Sequence, residues 1–419
     1  MTRRAAALAT IAACALAVAG PATLASAAGT PGRSAVSRLA GPGARWLKFG
    51  GRPAAAGERT MVAQAPTAAA GFTGAVLYGV SCTGKAQCTA TGLATTKSGA
   101  NYRTLAERWN GTKWAVQATP TPLSGGRLGG TLAAGLDCTS AKACMAAGYS
   151  YSKTKFSLLG EGWNGTKWTT QPLNKQPTVV LPSGISCTWA KDCMTVGERG
   201  SGATLAEHWN GKKWSVLTTK KYGVLFGVTC PASRNCTAAG TTSTGKALAE
   251  HWNGKSWSVQ SAATPDQITE LFAVDCHPAG ACVAVGVGGT SGGSSAAPVA
   301  EQLTGTKWSA LSPVDPSPGD VADLYSVSCL SATNCTAVGD AGNSAGTTDA
   351  TLAEHWDGTS WTVETTPSPA TFSSLFSVSC TSATHCVAAG ADSATATGSV
   401  HTLIEVWNGS TWTQQTVPN

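Results

Sequence analysis

Fourteen of the 15 cysteines form seven pairs, and in every pair five residues separate the two thiols. The pairs are Cys82-Cys88, Cys138-Cys144, Cys187-Cys193, Cys230-Cys236, Cys276-Cys282, Cys329-Cys335 and Cys380-Cys386. Five residues between two strands place such cysteines opposite each other across a hairpin, within disulfide reach. Zinc is the alternative, but each pair offers only two ligands, and only His277 and His385 lie inside these loops. The spacing predicts seven structural disulfides, and we expect no bound metal and no cofactor.

Seven glutamates recur at one position of the same repeated unit, and carboxylates are the usual general acids and bases of hydrolases. They are Glu107, Glu161, Glu207, Glu250, Glu301, Glu354 and Glu405. Catalysis needs two carboxylates in unlike environments, whereas seven equivalent copies indicate a part that every unit needs. We predict that each is a buried or edge carboxylate that accepts hydrogen bonds from a neighbouring strand. The next position varies among His208, Gly162 and Val406, which argues against a metal ligand or a base.

Tryptophan pairs accompany most of these glutamates, as in Trp109 and Trp114. Flat aromatic faces can stack on sugar rings, so the pairs could be carbohydrate platforms. However, they recur once per unit, and Leu303 replaces the first Trp in one copy without interrupting the repeat. Packing between repeated units is therefore the favoured interpretation.

These residues belong to a unit of about fifty residues that recurs seven times after residue 71. Each copy contains a run such as LFSVSC, the second cysteine, a glycine four residues later, and a segment such as LAEHWNGKKW. We interpret each copy as four short strands. Asn-Gly between two such strands predicts a tight hairpin in which both central residues have positive φ. Seven four-stranded antiparallel sheets predict an all-β fold, a seven-bladed β-propeller.

A small residue recurs in the middle of the first strand of each copy. The seven residues are Gly79, Gly135, Gly184, Gly227, Ala273, Ser326 and Ser377. Bulky side chains would collide where the blades converge on the axis, so the first strand is predicted to be the innermost.

The order of glycine, an aromatic that ends strand three and a Trp that opens strand four resembles the kelch repeat family over residues 72–419. The second glycine of the kelch pair is missing, and Leu93 or Asp340 stands in its place. With their cysteine pairs, the copies are similar to repeats in proteins exported by high-GC Gram-positive bacteria. The resemblance implies a β-propeller from an exported bacterial protein and does not specify a ligand.

Residues 1–27 have the layout of a secretory signal, with Arg3 and Arg4, an apolar run and Ala25 to Ala27 as a cleavage site. A lipobox ending at Cys14, which would anchor the protein to lipid, is the alternative. Residues 28–71 are predicted to be a basic linker rich in Ala, Gly and Pro. We expect a secreted or cell-surface protein without a transmembrane segment.

The distribution of charge along the chain argues against a nucleic-acid partner. The chain has a formal charge of +7, of which the leader carries +2 and the linker +5. Residues 72–419 therefore sum to zero, and a net-neutral domain gives no sign of a phosphate-binding face. Only 12% of the 419 residues are charged, which excludes a coiled coil or a charge-driven disordered chain.

Ligand binding is predicted on one face of the propeller. The disulfide turns and Asn-Gly turns should lie at one end of the sheets, and the connections of variable length at the other, which is where repeat proteins often bind ligands. The predicted ligand-binding residues are Tyr102, Tyr149, Tyr151 and Phe156 in blades 1 and 2, and Asp340, Asn343 and Asp349 in blade 6.

The sequence favours a monomeric, non-enzymatic module that binds an extracellular glycan, a cell-wall polymer or a protein. It contains a repeated frame and a variable rim, and no unique catalytic cluster. The alternative is a polysaccharide-active enzyme, a glycoside hydrolase or lyase, with carboxylates around the mouth of the channel.

Overall fold

The computed structural model of the chain describes most of its repeated region. The described residues are 72–96, 102–120, 129–151, 156–171, 180–200, 202–219, 221–263, 268–277, 281–289, 295–317, 319–396 and 398–418. The predicted signal, Cys14 and the linker lie outside them.

Strands are the regular elements of the described chain, which contains no helix. Blade by blade, the first four blades consist of β1 (Phe72–Gly84), β2 (Gln87–Thr96), β3 (Tyr102–Trp109), β4 (Trp114–Gln117); β5 (Gly129–Ser140), β6 (Ala143–Tyr151), β7 (Phe156–Trp163), β8 (Trp168–Thr170); β9 (Val180–Trp189), β10 (Asp192–Arg199), β11 (Thr204–Trp209), β12 (Trp214–Leu217); β13 (Gly223–Ala232), β14 (Asn235–Thr242), β15 (Ala247–Trp252) and β16 (Trp257–Gln260). The last three blades consist of β17 (Ile268–Cys276), β18 (Cys282–Gly289), β19 (Ala297–Thr304), β20 (Lys307–Leu311); β21 (Val321–Ser331), β22 (Asn334–Gly342), β23 (Asp349–Trp356), β24 (Trp361–Glu364); β25 (Phe372–Ser382), β26 (His385–Ser393), β27 (His401–Trp407) and β28 (Trp412–Gln414).

Each blade is a four-stranded antiparallel meander made from one continuous stretch of chain. The first strand of every blade contacts the first strands of both neighbouring blades, and β25 of blade 7 packs against β1 of blade 1. The seven inner strands thus form a closed ring, which confirms the seven-bladed β-propeller. A single parallel bridge, Asp349 to Phe372, also joins the sheets of blades 6 and 7.

Hydrogen bonds between blades repeat around the ring. At six of the seven junctions, the residue before the first cysteine of one blade accepts a bond from the backbone N–H of the first cysteine of the next blade. Between blades 4 and 5, Thr229 Oγ1 instead donates to Asp275 Oδ1. Ser81 Oγ accepts from Cys138 N at 3.0 Å, and Asp137 Oδ2 accepts from Cys187 N at 2.6 Å. Ser379 Oγ accepts from Cys82 N at 3.0 Å, so blade 7 joins blade 1 by the same contact as these internal junctions.

The prediction about the small residue of the first strand is confirmed by the close approach of the inner strands. A Cβ added to Gly227 would lie 2.8 Å from the Cα of Ala273 in the next blade. The recurring glycine of strand two has a different neighbour: a Cβ at Gly240 would lie 1.9 Å from the carbonyl oxygen of Val224, beside a β-bulge of strand one. Only residues with little or no side chain fit at both positions.

All seven predicted disulfides are present, each within one blade, with Cα–Cα distances of 3.9 to 4.1 Å. They link the first two strands of a blade close to the turn that joins them. Seven disulfides indicate that the protein resides in an oxidising, extracellular location.

The predicted Asn-Gly turn is corrected by the structure. Trp109 pairs with Trp114, so the loop has four residues, and only Gly111 has positive φ, at 97°. Asn110 instead uses its side chain: Oδ1 accepts hydrogen bonds from the backbone N–H groups of Thr112 and Lys113, both at 3.0 Å. Asparagine recurs here because its side chain caps the loop, and not because it tolerates a left-handed backbone.

The tryptophans pack as predicted. The rings of each pair lie 5.6 to 5.9 Å apart, and the second Trp is buried in every blade. Trp257 of blade 4 packs with Met194 and Val196 of blade 3, so the core lies between neighbouring sheets. Trp114 Nε1 donates to Gln415 Oε1 at 2.9 Å and joins blade 1 to blade 7.

Candidate functional site

Two ends of the propeller differ in their connections. The turn face carries the disulfide turns and the Asn-Gly loops, and the loop face carries the connections of variable length. The two kinds of turn lie side by side as predicted, because Gly211 of an Asn-Gly loop packs against Lys191 of a disulfide turn.

The predicted ligand-binding residues of the loop face fall mostly within strands. Tyr149 is a buried residue of β6, and Tyr102 is half-buried at the start of β3. Tyr151 and Phe156 pair across β6 and β7, and their side chains lie outside the described part. Asn343 caps its own loop, with Nδ2 donating to Thr347 Oγ1 at 2.7 Å. In these positions, the predicted aromatic residues of blades 1 and 2 do not come together with the predicted polar residues of blade 6.

Asp340 and Asp349 are buried, in β22 and β23, at a cluster of carboxylates between blades 5, 6 and 7. Tyr325 Oη donates to Asp323 Oδ2 at 3.3 Å and lies 3.4 Å from Asp340 Oδ1. Burial raises the pKa of Asp340 well above its usual value, and the carboxylates of Asp349 and Asp323 raise it further. Within the described chain, no three His, Cys, Asp or Glu side chains are arranged to hold a metal ion. Asp340 and Asp349 are thus at most 2% exposed.

Five aromatic rings run from blade to blade around the inner strands beside this cluster. Phe226, Phe272, Tyr325, Phe376 and Tyr78 follow one another with centroids 5.5 to 5.7 Å apart. Each comes from a β-bulge of its inner strand. The matching residues of blades 2 and 3 are small, Ala134 and Ser183, so no ring continues the arc there. The rings pack mainly on each other, as expected for the inner lining of a propeller.

The strand-three glutamates have the structural role that the sequence predicts. Glu301 Oε2 accepts from the backbone N–H of Ala263 at 2.8 Å, and Glu354 Oε2 accepts from Val314 N at 2.9 Å. Both donors follow the last strand of the preceding blade. Burial raises the pKa of Glu107 and Glu161 to about 8. Glu301 and Glu354 therefore join neighbouring blades, whereas neither carboxyl oxygen of Glu107 has a hydrogen-bond partner in the described part of the chain.

A cavity of about 210 Å³ opens on the turn face between blades 3 and 4. Asp192 and His208 of blade 3 line it, together with Arg234 and Trp252 of blade 4. Its volume lies below the roughly 300 Å³ of a pocket that encloses a whole drug-sized molecule, so it accommodates one ring-sized group of a larger ligand.

The polar wall of the cavity is held in place by short hydrogen bonds. His208 Nε2 lies 2.6 Å from Asp192 Oδ1, and Ser233 Oγ donates to Asp192 Oδ2 at 2.5 Å. Burial favours a higher pKa for Asp192, but the bonds from Ser233 and His208 outweigh it and lower the pKa. The aspartate stands between serine and histidine, so the histidine cannot activate the serine as it does in a catalytic triad. The arrangement is a fixed set of hydrogen-bonding groups.

An exposed tryptophan lies next to two residues that line the cavity, since it follows Thr188 in the chain and pairs with Asp192. Trp189 pairs with Asp192 across the disulfide hairpin, and 67% of its surface is exposed. The matching residues of the other blades are Gly84, Ser140, Ala232, Pro278, Ser331 and Ser382. Blade 3 is also the only copy with an acid before its second cysteine, at Asp192. Sequence reasoning missed this site, although a position-by-position comparison of the seven cysteine loops contains the signal.

Comparisons with known proteins support the fold. No protein-family model matches the chain, and no curated protein matches it in sequence. Among solved structures, the chain resembles a polysaccharide lyase, PL25-Ulvanlyase, bound to -[GlcA(1-4)Rha3S]-, with TM-score 0.54, 9% identity, and coverage of 83% of this chain and 98% of that one. YCF48 bound to D1 peptide has TM-score 0.50, 14% identity, and coverage of 80% and 92%.

A third similar structure is the Aleuria aurantia lectin in complex with alpha-methyl-L-fucoside, with TM-score 0.43, 12% identity, and coverage of 70% and 96%. At such identities the likeness extends to the β-propeller fold alone. The described part of the chain holds no helix that could span a membrane.

Proposed function

We propose that the protein is an exported, non-enzymatic binding module that holds a carbohydrate at the cavity between blades 3 and 4. The cavity carries the proposal, because Asp192, an acid that no other blade has at this position, lines it, and Trp189, also found in no other blade, pairs with Asp192 across the disulfide hairpin. The kelch-like and Gram-positive resemblances, the signal peptide and the monomeric state stay predictions.

The geometry suits a sugar ring. Trp252 and the exposed Trp189 provide flat apolar faces, on which the C–H face of a pyranose stacks. Asp192 accepts hydrogen bonds and Arg234 donates them, so both polarities needed by sugar hydroxyls are present. Among solved structures of the same fold, YCF48 is bound to D1 peptide and the lyase to -[GlcA(1-4)Rha3S]-, so peptide and sugar ligands both occur on this scaffold.

The enzymatic alternative gains no support from the carboxylates. Glycoside hydrolysis needs two carboxyl groups in reach of the glycosidic bond. Asp323, Asp340 and Asp349 are each at most 2% exposed, and the strand-three glutamates are fully buried. Asp192 has a lowered pKa, which does not suit a general acid.

The site can be tested with substitutions that introduce the residue found at the equivalent position of another blade, since the fold already accepts that residue there. Trp189→Ser places in blade 3 the residue of blades 2, 6 and 7, and Trp252→Leu copies the native Leu303 of blade 5. We expect each to weaken glycan binding by about tenfold or more in isothermal titration, because each removes a stacking face.

The matched control is Trp407→Leu, which makes the same change in blade 7. It should leave affinity unchanged. Binding that survives both Trp189→Ser and Trp252→Leu would place the ligand elsewhere, with the loop-face residues Tyr102 and Asn343 as the remaining prediction. Release of shortened sugars from the bound glycan would favour the enzyme.

A further inference from the structure

The net charge of zero over residues 72–419 hides a strong division between the two sides of the ring. Residues 72–260, which form blades 1 to 4, contain 20 Lys and Arg and seven Asp and Glu. Residues 261–419, which form blades 5 to 7, contain one Lys, no Arg and 14 Asp and Glu. The first group therefore sums to +13 and the second to −13. The net charge of the domain therefore does not describe how its charges are divided between the blades.

Most of the acidic side chains of blades 1 to 4 are buried, so the surface of these blades is more basic than their composition indicates. Four of their seven acids are the strand-three glutamates Glu107, Glu161, Glu207 and Glu250, none of which is exposed. Asp137 lies under the next blade, where it accepts a bond from Cys187 N. Only Asp192 and Glu198 remain to offset the positive groups at the surface.

The turn face of these four blades is the most uniformly positive part. Nine of the 20 cations stand in the disulfide turns and Asn-Gly loops, and all nine are exposed. Lys142, Lys191, Lys212, Lys213 and Lys255 are among them. Asp192 is the sole acid in these turns, and it already pairs with His208. Blades 6 and 7 have no cation in their turns.

The cavity between blades 3 and 4 lies within this basic surface. Arg234, which lines it, is exposed, and its charge helps to lower the pKa of Asp192, but its guanidinium forms no hydrogen bond within the part of the chain that the structure describes. Its backbone has positive φ, at 64°, which bulky residues rarely adopt. The guanidinium is thus available to a ligand carboxylate, which it can bind in bidentate fashion.

We propose that the ligand is a linear acidic polysaccharide whose sugar carboxylates contact Arg234 and the neighbouring lysines, while one ring occupies the cavity. This inference rests on the proposed carbohydrate-binding function and adds the class of glycan. A chain of uronic acids matches both features of the surface, since it repeats a negative charge along its length and presents ring faces to Trp189 and Trp252.

A nucleic acid also carries repeated negative charge, but the aromatic groups argue against it. Single-stranded nucleic acids are bound by a series of aromatic platforms along a basic groove. On this face the partly buried Trp252 lines the cavity, and Trp189 pairs with Asp192 of its wall, beside fixed polar groups suited to hydroxyls.

The experiment compares three probes on the full-length protein at several salt concentrations: polygalacturonate, neutral dextran and a single-stranded DNA oligonucleotide. We expect polygalacturonate to bind more tightly than the other two, with an affinity that falls as salt rises. The triple variant Lys191→Glu, Lys212→Glu, Lys213→Glu should weaken this binding by about tenfold or more, because it reverses charge beside the cavity.

Lys307→Glu is the matched control, since Lys307 stands in an equivalent exposed loop but is the sole cation of blades 5 to 7. It should alter the affinity by less than twofold. Equal weakening by Lys307→Glu, or tighter binding of DNA than of polygalacturonate, would overturn the inference. Dextran bound as tightly as polygalacturonate, with loss in Trp189→Ser only, would overturn it and leave the proposed function standing. Failure to bind any glycan would overturn both.

Discussion

Seven glutamate side chains, one from the third strand of every blade, are completely removed from solvent. Burial raises the pKa of Glu107, Glu161 and Glu405 to about 8, and that of Glu301 and Glu354 to about 7. In the unfolded chain these groups lose their protons near pH 4.5. The folded state therefore binds more protons than the unfolded state between these two values, so its stability decreases as the pH rises through that window.

We expect the urea midpoint of unfolding to be higher at pH 6 than at pH 8.5. Each glutamate with a raised pKa lowers the free energy of unfolding by up to about 1.4 kcal/mol per pH unit below its folded pKa. Glu107→Gln keeps a neutral side chain of the same shape and removes one titrating group. The difference in midpoint between the two pH values should therefore be smaller in this variant.

Asp357→Asn provides the control, because hydrogen bonds in its loop lower the pKa of Asp357 to about 2, far from the tested range. Asparagine is also the native residue of the equivalent loop in blade 1. A midpoint that rises toward pH 8.5 would contradict protonated glutamates in the folded state.

Inner strands are the elements that turn seven separate sheets into a ring. Each carries Ser, Thr or Asp before its first cysteine, and where Ser81 and Ser379 stand, this side chain accepts the backbone N–H of the next cysteine. The closing junction uses the same bond as an internal one. The chain needs no strand exchanged between its two ends to close the propeller.

Ser81→Ala and Ser379→Ala should therefore destabilise the protein equally, by about 1 kcal/mol each, because each leaves one inner-strand N–H without its acceptor. Equilibrium urea unfolding measures both. Ser382→Ala, in an exposed turn, removes a hydroxyl that bonds only to Thr384 and should have no measurable effect. A neutral Ser379→Ala beside a costly Ser81→Ala would show that the ring closes differently.

At this scale the sequence was largely sufficient. The repeat revealed the strands, the disulfides and the packing role of the tryptophans, because every blade forms the same four strands and packs against two neighbours in the same way. Two details were beyond it. The capping of the loop by Asn110 Oδ1 and the continuation of strand two beyond Gly92 depend on how a bulged strand lies against its neighbour.

The molecule as a whole has a positive side and a negative side, and burial raises the pKa of many of its acids. Burial raises the pKa of Glu270 and Asp340 well above their usual values, in addition to the strand-three glutamates. At pH 8 the folded protein should carry more positive charge than its composition implies.

Isoelectric focusing under native conditions and in concentrated urea should therefore give different positions for the same chain. We expect the folded protein to focus at the higher pH, since unfolding releases protons from the buried carboxyl groups. Identical positions in the two gels would mean that these groups are already ionised in the folded state.

The candidate site was less predictable than the fold. A repeat is recognised from the residues that its copies share, whereas Trp189 and Asp192 occur in blade 3 only. The net charge of residues 72–419 is zero, and it therefore concealed that blades 1 to 4, which contain Arg234, are basic and that blades 5 to 7 are acidic. Burial of the glutamates is a property of the folded ring and could not be counted from composition.

Because every sheet is one uninterrupted stretch of chain and the last meets the first through an ordinary junction, the blade with which synthesis begins is arbitrary. A gene rearranged to begin at blade 5, with the old ends joined by a short tether, would encode the same circle. Such a permuted protein would present its new termini at the boundary between the basic and acidic blades, where a fused partner could be placed beside either.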